Sequence, residues 1–290
     1  MKRALLVLCL ASCGYEPVSE RPVTKETPLT SCDVTLPGMP VRIAVSPSAL
    51  LVGLDDGTLL RGEGEGCGLR FQQLGNVGEL LDVDAAGNAY VKASDAFQRA
   101  HFPETFGDLV VRIEPDGTAS SIVGAGRGIW GFGVSPSGRT MWVSACGPTG
   151  VLSTSDLSSV ITASPPWELG AAALSDDQTY WSSRAESCVE RGSVCILNLV
   201  RATPKGERNV MTMPGEIGFS PLITRCGDGP CVGYAQVVKQ LDADGALIRE
   251  FDRERLGLGD TDRLMSFGAT SRGLYVLSEG PSGRRLRFTP

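Results

Sequence analysis

The sequence predicts an all-β protein, a β-propeller of six four-stranded blades in which the N-terminal strand closes the ring. From residue 32 onward, short apolar runs alternate with turn residues, and no sustained helical apolar period interrupts them. The 36 Gly and 18 Pro residues favour tight turns over long helices. One hairpin pattern recurs with a period of about 40 to 50 residues, which is typical of propeller blades.

The recurring hairpin is an apolar run, a turn and a second run that holds a bulky aromatic residue. Its clearest copy spans residues 131–144, and the others lie at 43–52, 81–91, 171–181 and 266–276, with a degenerate copy at 217–232. The turn positions are separated by 38, 51, 40 and 95 residues, and the last gap contains the degenerate copy: Ser46, Asp84, Ser135, Ser175 and Thr270. Six units follow from this count.

Strand composition fits blades that converge on an axis. The first strand of each unit is rich in Gly, Ala and Val, which suits a crowded centre. The second strands contain Tyr90, Trp142, Trp181 and Tyr275, and we expect these rings to fill the space between neighbouring blades. Third and fourth strands follow as hairpins, for example residues 109–113 with 119–123 and residues 237–241 with 246–251.

Ring closure is predicted from the two ends of the repeat. The last unit has room for only three strands before Pro290. Residues 33–38 resemble residues 209–215, which occupy the outer-strand position of the fourth blade. We therefore expect the N-terminal strand to complete the last blade and to leave no long exposed edge. A seventh, unrecognised blade remains the alternative.

The repeat over residues 32–290 resembles the bacterial six-bladed propellers that include NHL-type and lactonase-like folds. The resemblance is architectural and brings no catalytic motif with it.

The N-terminal sequence predicts export to the cell envelope. Residues 1–12 have a basic start and a short apolar core, too short to span a bilayer, and are interpreted as a signal peptide. The sequence Leu10-Ala11-Ser12-Cys13 resembles the bacterial lipobox, which implies that Cys13 is lipidated and becomes the mature N-terminus. Gly14, where Asp would retain a lipoprotein, resembles the pattern for the outer membrane of Gram-negative bacteria. Ordinary secretion with Cys13 merely nearby is the alternative.

Residues 14–31 contain Pro, Thr, Ser and Glu but no apolar periodicity, so residues 13–31 are expected to form a lipidated, flexible tether. Fully extended, it would reach roughly 60 Å. The formal net charge of −6 becomes 25 − 33 = −8 once Lys2 and Arg3 are removed. An acidic chain of this kind argues against a nucleic-acid partner, because phosphates require basic surface.

The cysteines predict disulfides, since an exported protein meets oxidising conditions. Nine Cys less Cys9 and Cys13 leaves seven. Two pairs are predicted to form disulfides across short hairpins, namely Cys226 with Cys231 and Cys188 with Cys195. A third pair, Cys32 with Cys67, would join the N-terminal strand to the first blade. Cys146 is then odd, and other pairings stay open. Zinc is not predicted, because no C-x-x-C spacing exists and the chain has one His.

Other candidate chemistry is weak. The G-x-G-x-x-G match at residues 126–131 lies between two blades and not between a strand and a helix. The Asp-rich turns lack the spacing of a calcium loop and suit β-turns. His101 would have to serve any Ser-His-Asp relay, yet no G-x-S-x-G elbow supplies the nucleophile. The sequence therefore predicts no cofactor.

The candidate binding face combines an aromatic insertion in the second blade with other connections expected at the same end of the ring. Long loops on rigid scaffolds often bind partners. Its residues are Phe97, Arg99, His101, Phe102, Phe106, Arg127, Trp130, Trp167, Arg184 and Arg191. The competing interpretation is that the aromatic rings pack the loop onto its own blade.

Two function classes follow. The first is a lipid-anchored, non-enzymatic module that presents this face to a protein, peptide or glycan. The alternative is a metal-dependent hydrolase similar to the lactonase-like propellers, for which Glu79, Asp82 or Asp84 could point inward.

Overall fold

The computed structural model describes residues 31–64, 66–125, 129–145, 150–162, 168–188, 194–216, 221–234 and 236–290. These residues form six four-stranded antiparallel sheets, and the predicted all-β propeller is confirmed. The predicted signal peptide, Cys13 and the tether up to residue 30 lie outside the described residues, as does Cys146.

Blades 1 to 3 follow the chain without interruption. Their strands are β2 (Pro40–Ser46), β3 (Ala49–Leu54), β4 (Thr58–Glu63) and β5 (Arg70–Asn76) in blade 1; β6 (Gly78–Val83), β7 (Ala89–Ala93), β8 (Asp108–Ile113) and β9 (Ala119–Ala125) in blade 2; and β10 (Ile129–Val134), β11 (Thr140–Ala145), β12 (Gly150–Ser153) and β13 (Ser159–Thr162) in blade 3.

Blade 6 combines the two ends of the chain. The remaining strands are β14 (Glu168–Leu174), β15 (Tyr180–Cys188), β16 (Val194–Thr203) and β17 (Gly206–Glu216) in blade 4; β18 (Leu222–Cys226), β19 (Gly229–Tyr234), β20 (Val237–Leu241) and β21 (Leu247–Phe251) in blade 5; and β22 (Arg263–Ala269), β23 (Leu274–Gly280), β24 (Gly283–Thr289) and β1 (Cys32–Val34) in blade 6.

Helical structure in the described chain is short. It comprises α1 (Asp95–His101), α2 (Arg253–Leu256) and a 3₁₀ turn (Gly66–Gly68). No described helix has the length and apolar character needed to cross a membrane.

The ring closes as the sequence predicts. Inner strands of successive blades pack against one another all the way round, including β22 of blade 6 against β2 of blade 1. Strand β1 pairs antiparallel with β24, so that Cys32 opposes Phe288 and Val34 opposes Leu286. The alternative of seven blades is wrong, because the six sheets already meet in a closed circle.

A disulfide reinforces the closure. Cys32, the first residue of β1, is bonded to Cys67 in the 3₁₀ turn of blade 1. Asp33 adds an ion pair at 3.6 Å to Arg287 on β24. Blade 6 is thereby linked to blade 1 by a covalent bond as well as by packed side chains.

A second predicted disulfide also forms, while a third cannot be judged from the described side chains. Cys226 and Cys231 are disulfide-bonded across the hairpin of β18 and β19. Cys188 and Cys195 face each other in the register of β15 and β16, but their side chains lie outside those described.

The aromatic rings of the second strands fill the gaps between blades, as predicted. Tyr90 is fully buried and its ring lies 5.8 Å from that of Phe132 in the next blade. Trp142 and Trp181 are likewise fully buried at the following interfaces. Small inner-strand residues are required at the centre: a Cβ added to Gly268 would collide with Val45 of blade 1.

The recurring turn also links neighbouring blades. Ser48 donates a 2.8 Å hydrogen bond to the carbonyl of Ala85 in the blade 2 turn, and the amide of Ala85 donates a 2.9 Å bond to Pro136 O in blade 3. Ser135 then donates a 2.8 Å bond to Asp177 in blade 4. Ser135 is therefore a structural turn residue.

The antiparallel blades create two distinct faces. The hairpin face holds the turns between first and second strands and between third and fourth strands. The crossover face holds the loops between second and third strands and the blade-to-blade connections. Residue 31 and Pro290 both lie on the hairpin face, because β1 starts there and β24 ends there.

We expect removal of the closing disulfide to destabilise the fold strongly. The Cys32→Ala/Cys67→Ala variant should lose about 3 to 4 kcal/mol of unfolding free energy, because the bond closes a loop with a sequence separation of 35. Urea unfolding measures the loss. Asp33→Ala, which removes only an exposed ion pair, should cost less than about 1 kcal/mol. Equal small losses in both variants would show that the disulfide does not govern closure.

Candidate functional site

The aromatic insertion of blade 2 contains a short helix and lies on the crossover face. Helix α1 begins after Ser94, whose side chain caps it by accepting a 3.2 Å hydrogen bond from the amide of Phe97. Ser is a favoured capping residue because its oxygen satisfies an amide that the helix leaves unpaired. The insertion connects β7 to β8, as the sequence predicts.

The helix turns part of the aromatic set inward. Phe97 and Phe102 are half-buried against the core of blade 2. His101 lies one helical turn after Phe97, and their rings are 4.3 Å apart. For Phe97 and Phe102, the competing interpretation that aromatic rings pack the loop onto its blade therefore holds.

The rest of the insertion is pinned in place and exposes one large aromatic ring. The buried Gln98 side chain donates hydrogen bonds of 3.0 and 3.1 Å to the carbonyl and hydroxyl of Thr105. Phe106 follows immediately and is 88% exposed. Arg99 and His101 are also exposed. A fixed loop thus presents an aromatic ring, a guanidinium and an imidazole to solvent.

The other predicted members of the binding face are only partly described. Arg184 lies on β15 and forms an ion pair at 3.0 Å with Glu207. Trp130 lies in β10, but its side chain is outside those described. Arg127, Trp167 and Arg191 lie outside the described residues.

A central cavity of about 540 Å³ opens among the inner strands. All six inner strands contribute to its lining, namely β2, β6, β10, β14, β18 and β22. Its charged lining residues are Arg42, Glu79, Asp82 and Arg225, and its apolar ones include Phe132 and Phe267.

Asp82 and Arg225 both line this cavity and interact electrostatically. Asp82 accepts 2.8 Å hydrogen bonds from the amides of Val83 and Val134. Arg225 reaches from blade 5 to blades 2 and 3, where it donates 3.2 Å bonds to the carbonyls of Val83 and Val134. Burial raises the pKa of Asp82 above its ordinary value of 3.8, and this outweighs the lowering caused by Arg225 and the two amides.

The two other carboxylates considered for a metal have different roles. Asp84 accepts hydrogen bonds from the amide of Asn88 at 2.9 Å and from the hydroxyl of Tyr90 at 3.3 Å, so it belongs to the blade 2 turn. Glu79 lines the central cavity together with Asp82. Within the part of the chain that the structure describes, no three His, Cys, Asp or Glu residues form a group that could hold a metal ion.

The remaining Asp-rich turns are confirmed as turn chemistry. Asp56, Asp116 and Asp176 each accept a hydrogen bond of 2.7 or 2.8 Å from the amide two residues later. Strand β10 starts at Ile129, so the G-x-G-x-x-G match leads into a strand and not into the helix that a dinucleotide site requires.

Comparison with known proteins finds the fold and no family. No family model matches the chain, and no curated protein matches it significantly. The WD40 β-propeller domain of Doa1 aligns with a TM-score of 0.52 and 11% identity over 90% of this chain and 95% of that domain. The β-propeller domain of Cps50 (Swd1) from Myceliophteria thermophila gives 0.50 and 8% over 89% and 99%. At these identities the likeness shows the propeller fold alone.

BamB from Moraxella catarrhalis also matches, with 12% identity over 87% of this chain and 84% of that one. Its TM-score of 0.42 is too low to support any inference about this protein.

Sequence reasoning missed the contribution of Arg225 and Arg42 to the central cavity. Arg225 stands next to Cys226 at the end of an otherwise apolar and hydroxyl-bearing inner strand. The available signal for this contribution was a charged residue, Arg225, in an inner strand, because inner strands point their side chains towards a crowded axis. The degenerate sequence of this copy obscured it.

The pKa of Asp82 predicts a specific pH dependence of stability. A carboxyl whose pKa is higher in the folded than in the unfolded state makes its full contribution to stability below about pH 3.8. This contribution is lost as the pH rises through the folded-state pKa. Urea unfolding from about pH 4 to about pH 7 should therefore show the wild type losing free energy relative to Asp82→Asn. Arg225→Met should steepen the loss, because it removes the nearby cation. Parallel curves for wild type and Asp82→Asn would contradict the assignment.

Proposed function

We propose that this protein is a lipid-anchored module of the cell envelope that binds a protein, peptide or glycan partner through its crossover face. The exposure of Phe106 supports this most directly. Large aromatic side chains are enriched in the buried centres of protein interfaces. Their apolar area contributes to affinity once a partner removes it from water.

The rigidity of the insertion strengthens the proposal. Ser94 caps the helix, Gln98 ties it to Thr105, and Phe97 anchors it to the blade core. Phe106 is therefore held in position before any partner arrives, which lowers the entropy cost of binding. The neighbouring Arg99 and His101 add hydrogen-bond donors around the ring.

The position of residue 31 indicates from which side an N-terminal anchor would hold the propeller. Residue 31 lies on the hairpin face, so a lipid at Cys13 would hold the propeller from that side. The crossover face is then the side opposite the attachment point and stays open to partners. An outer-membrane location is part of the proposal and rests on the sequence after Cys13.

We expect Phe106→Ala to weaken partner binding by about 2 kcal/mol, which is roughly thirtyfold in affinity. A photoreactive residue placed at position 106 in cells should give discrete cross-linked species that mass spectrometry can identify. Ile248 is the matched control, because it is 60% exposed but lies on the outer strand of blade 5. The same cross-linked species from positions 106 and 248 would count against the crossover face.

The anchor is tested separately. Cys13→Ser should move the protein from the membrane fraction to the soluble fraction and abolish incorporation of labelled fatty acid, because the thiol that accepts lipid is gone. Cys9→Ser is the control, since this cysteine lies in the predicted signal peptide and should not affect fractionation. Retention of the Cys13→Ser protein in membranes would rule out lipidation at this residue.

A further inference from the structure

A second cleft, of about 750 Å³, opens on the hairpin face between blades 5, 6 and 1. The turns of blades 1 and 6, the end of β4 and the outer half of blade 5 form its walls. We propose that it binds a small soluble ligand with more than one anionic group, either phosphate or carboxylate. The cleft lies on the opposite face from the proposed partner surface and is independent of it.

The charge of the cleft carries the proposal. Four arginines and one carboxylate line it: Arg61, Arg225, Arg249, Arg272 and Glu63. The chain as a whole has a net charge of −6, so this concentration of cations runs against the average of the surface. Arginine stays protonated at every physiological pH, and the cleft is therefore permanently positive.

Two of these guanidinium groups, those of Arg61 and Arg225, are held by backbone carbonyls. Arg61 donates a 3.1 Å bond to Gly87 O, and Arg225 donates to two carbonyls at 3.2 Å. Arg249 donates a 3.3 Å bond to an oxygen of Pro290, the last residue of the sequence, and its guanidinium carbon lies 4.4 Å from the centroid of the Phe251 ring. Among the described residues, Arg61 and Arg225 have no carboxylate within ion-pair distance, although Arg225 interacts electrostatically with Asp82.

The geometry suits an anion with several oxygens. Each guanidinium has about five N–H donors, and the bonds to carbonyls use only one or two of them. The remaining donors form a planar fork that matches phosphate or carboxylate oxygens. The bonds that Arg61, Arg225 and Arg249 already make fix their orientation, so a ligand would order few side chains on binding. A volume of this size fits a small molecule.

Acidic residues elsewhere on the hairpin face favour a soluble ligand over an anionic membrane surface. Exposed carboxylates occupy the turns of several blades, including Asp116, Asp156, Asp176, Asp228 and Asp244. A flat anionic surface would approach all of them at once and be repelled, whereas a small anion inside the cleft meets mainly arginines.

Isothermal titration of the full-length protein in detergent with pyrophosphate, citrate and neutral glucose tests the proposal. We expect binding of at least one anion, weakened by added salt, and no binding of glucose. Arg61→Gln/Arg249→Gln should lower the affinity at least tenfold. Arg70→Gln removes an exposed arginine of blade 1 outside the cleft and should leave the affinity for the anion unchanged.

Three outcomes would overturn the site. These are no binding of either anion, equal weakening by Arg70→Gln, and binding only to vesicles that contain anionic lipid. Thermal unfolding of each variant shows whether it is folded, and Arg249→Lys, which keeps the charge, should retain part of the affinity if the double variant proves unstable. Failure of anion binding would leave the role of Phe106 untouched, since the two sites lie on opposite faces.

Discussion

The fold depends on the pairing of β1 with β24, because a ring of blades is stable only when its first and last members meet. Without β1, blade 6 would have three strands and an open edge of unpaired amides and carbonyls on β24. The contact between blades 6 and 1 would also lose its covalent support from Cys32 and Cys67. Every other interface between blades joins segments that are already neighbours in sequence, so this one alone must bring the distant ends of the domain together.

The architecture could be predicted from the sequence because each blade solves the same packing problem with the same residue types. Small inner-strand residues and aromatic second-strand residues recur for a local reason, and Tyr90, Trp142 and Trp181 occupy the positions expected of them. The closing strand was also predictable from the missing fourth strand of the last unit. Its bounds were not, since β1 spans Cys32–Val34 and so includes only the start of the segment 33–38 whose resemblance indicated the strand.

The candidate sites were less predictable because they depend on direction and on distant parts of the chain. Phe97, Phe102 and Phe106 look equivalent in sequence, yet Phe97 in the helix and Phe102 at its end pack inward, while Phe106 in the loop that follows is exposed. Arg225 reaches carbonyls that lie 91 and 142 residues away. The arginine cleft combines three blades from both ends of the chain, and no local pattern reveals that combination.

The position of Cys32 has a mechanical consequence for a protein held by its N-terminal segment. Tension applied through residue 31 reaches Cys32 before any hydrogen bond of β1, because Cys32 is the first residue of that strand. The disulfide passes the force to the 3₁₀ turn of blade 1, so the short ladder between β1 and β24 carries little of the load. A force applied through an N-terminal anchor of the kind proposed would thus be carried by a covalent bond, and the ring would stay closed under that load.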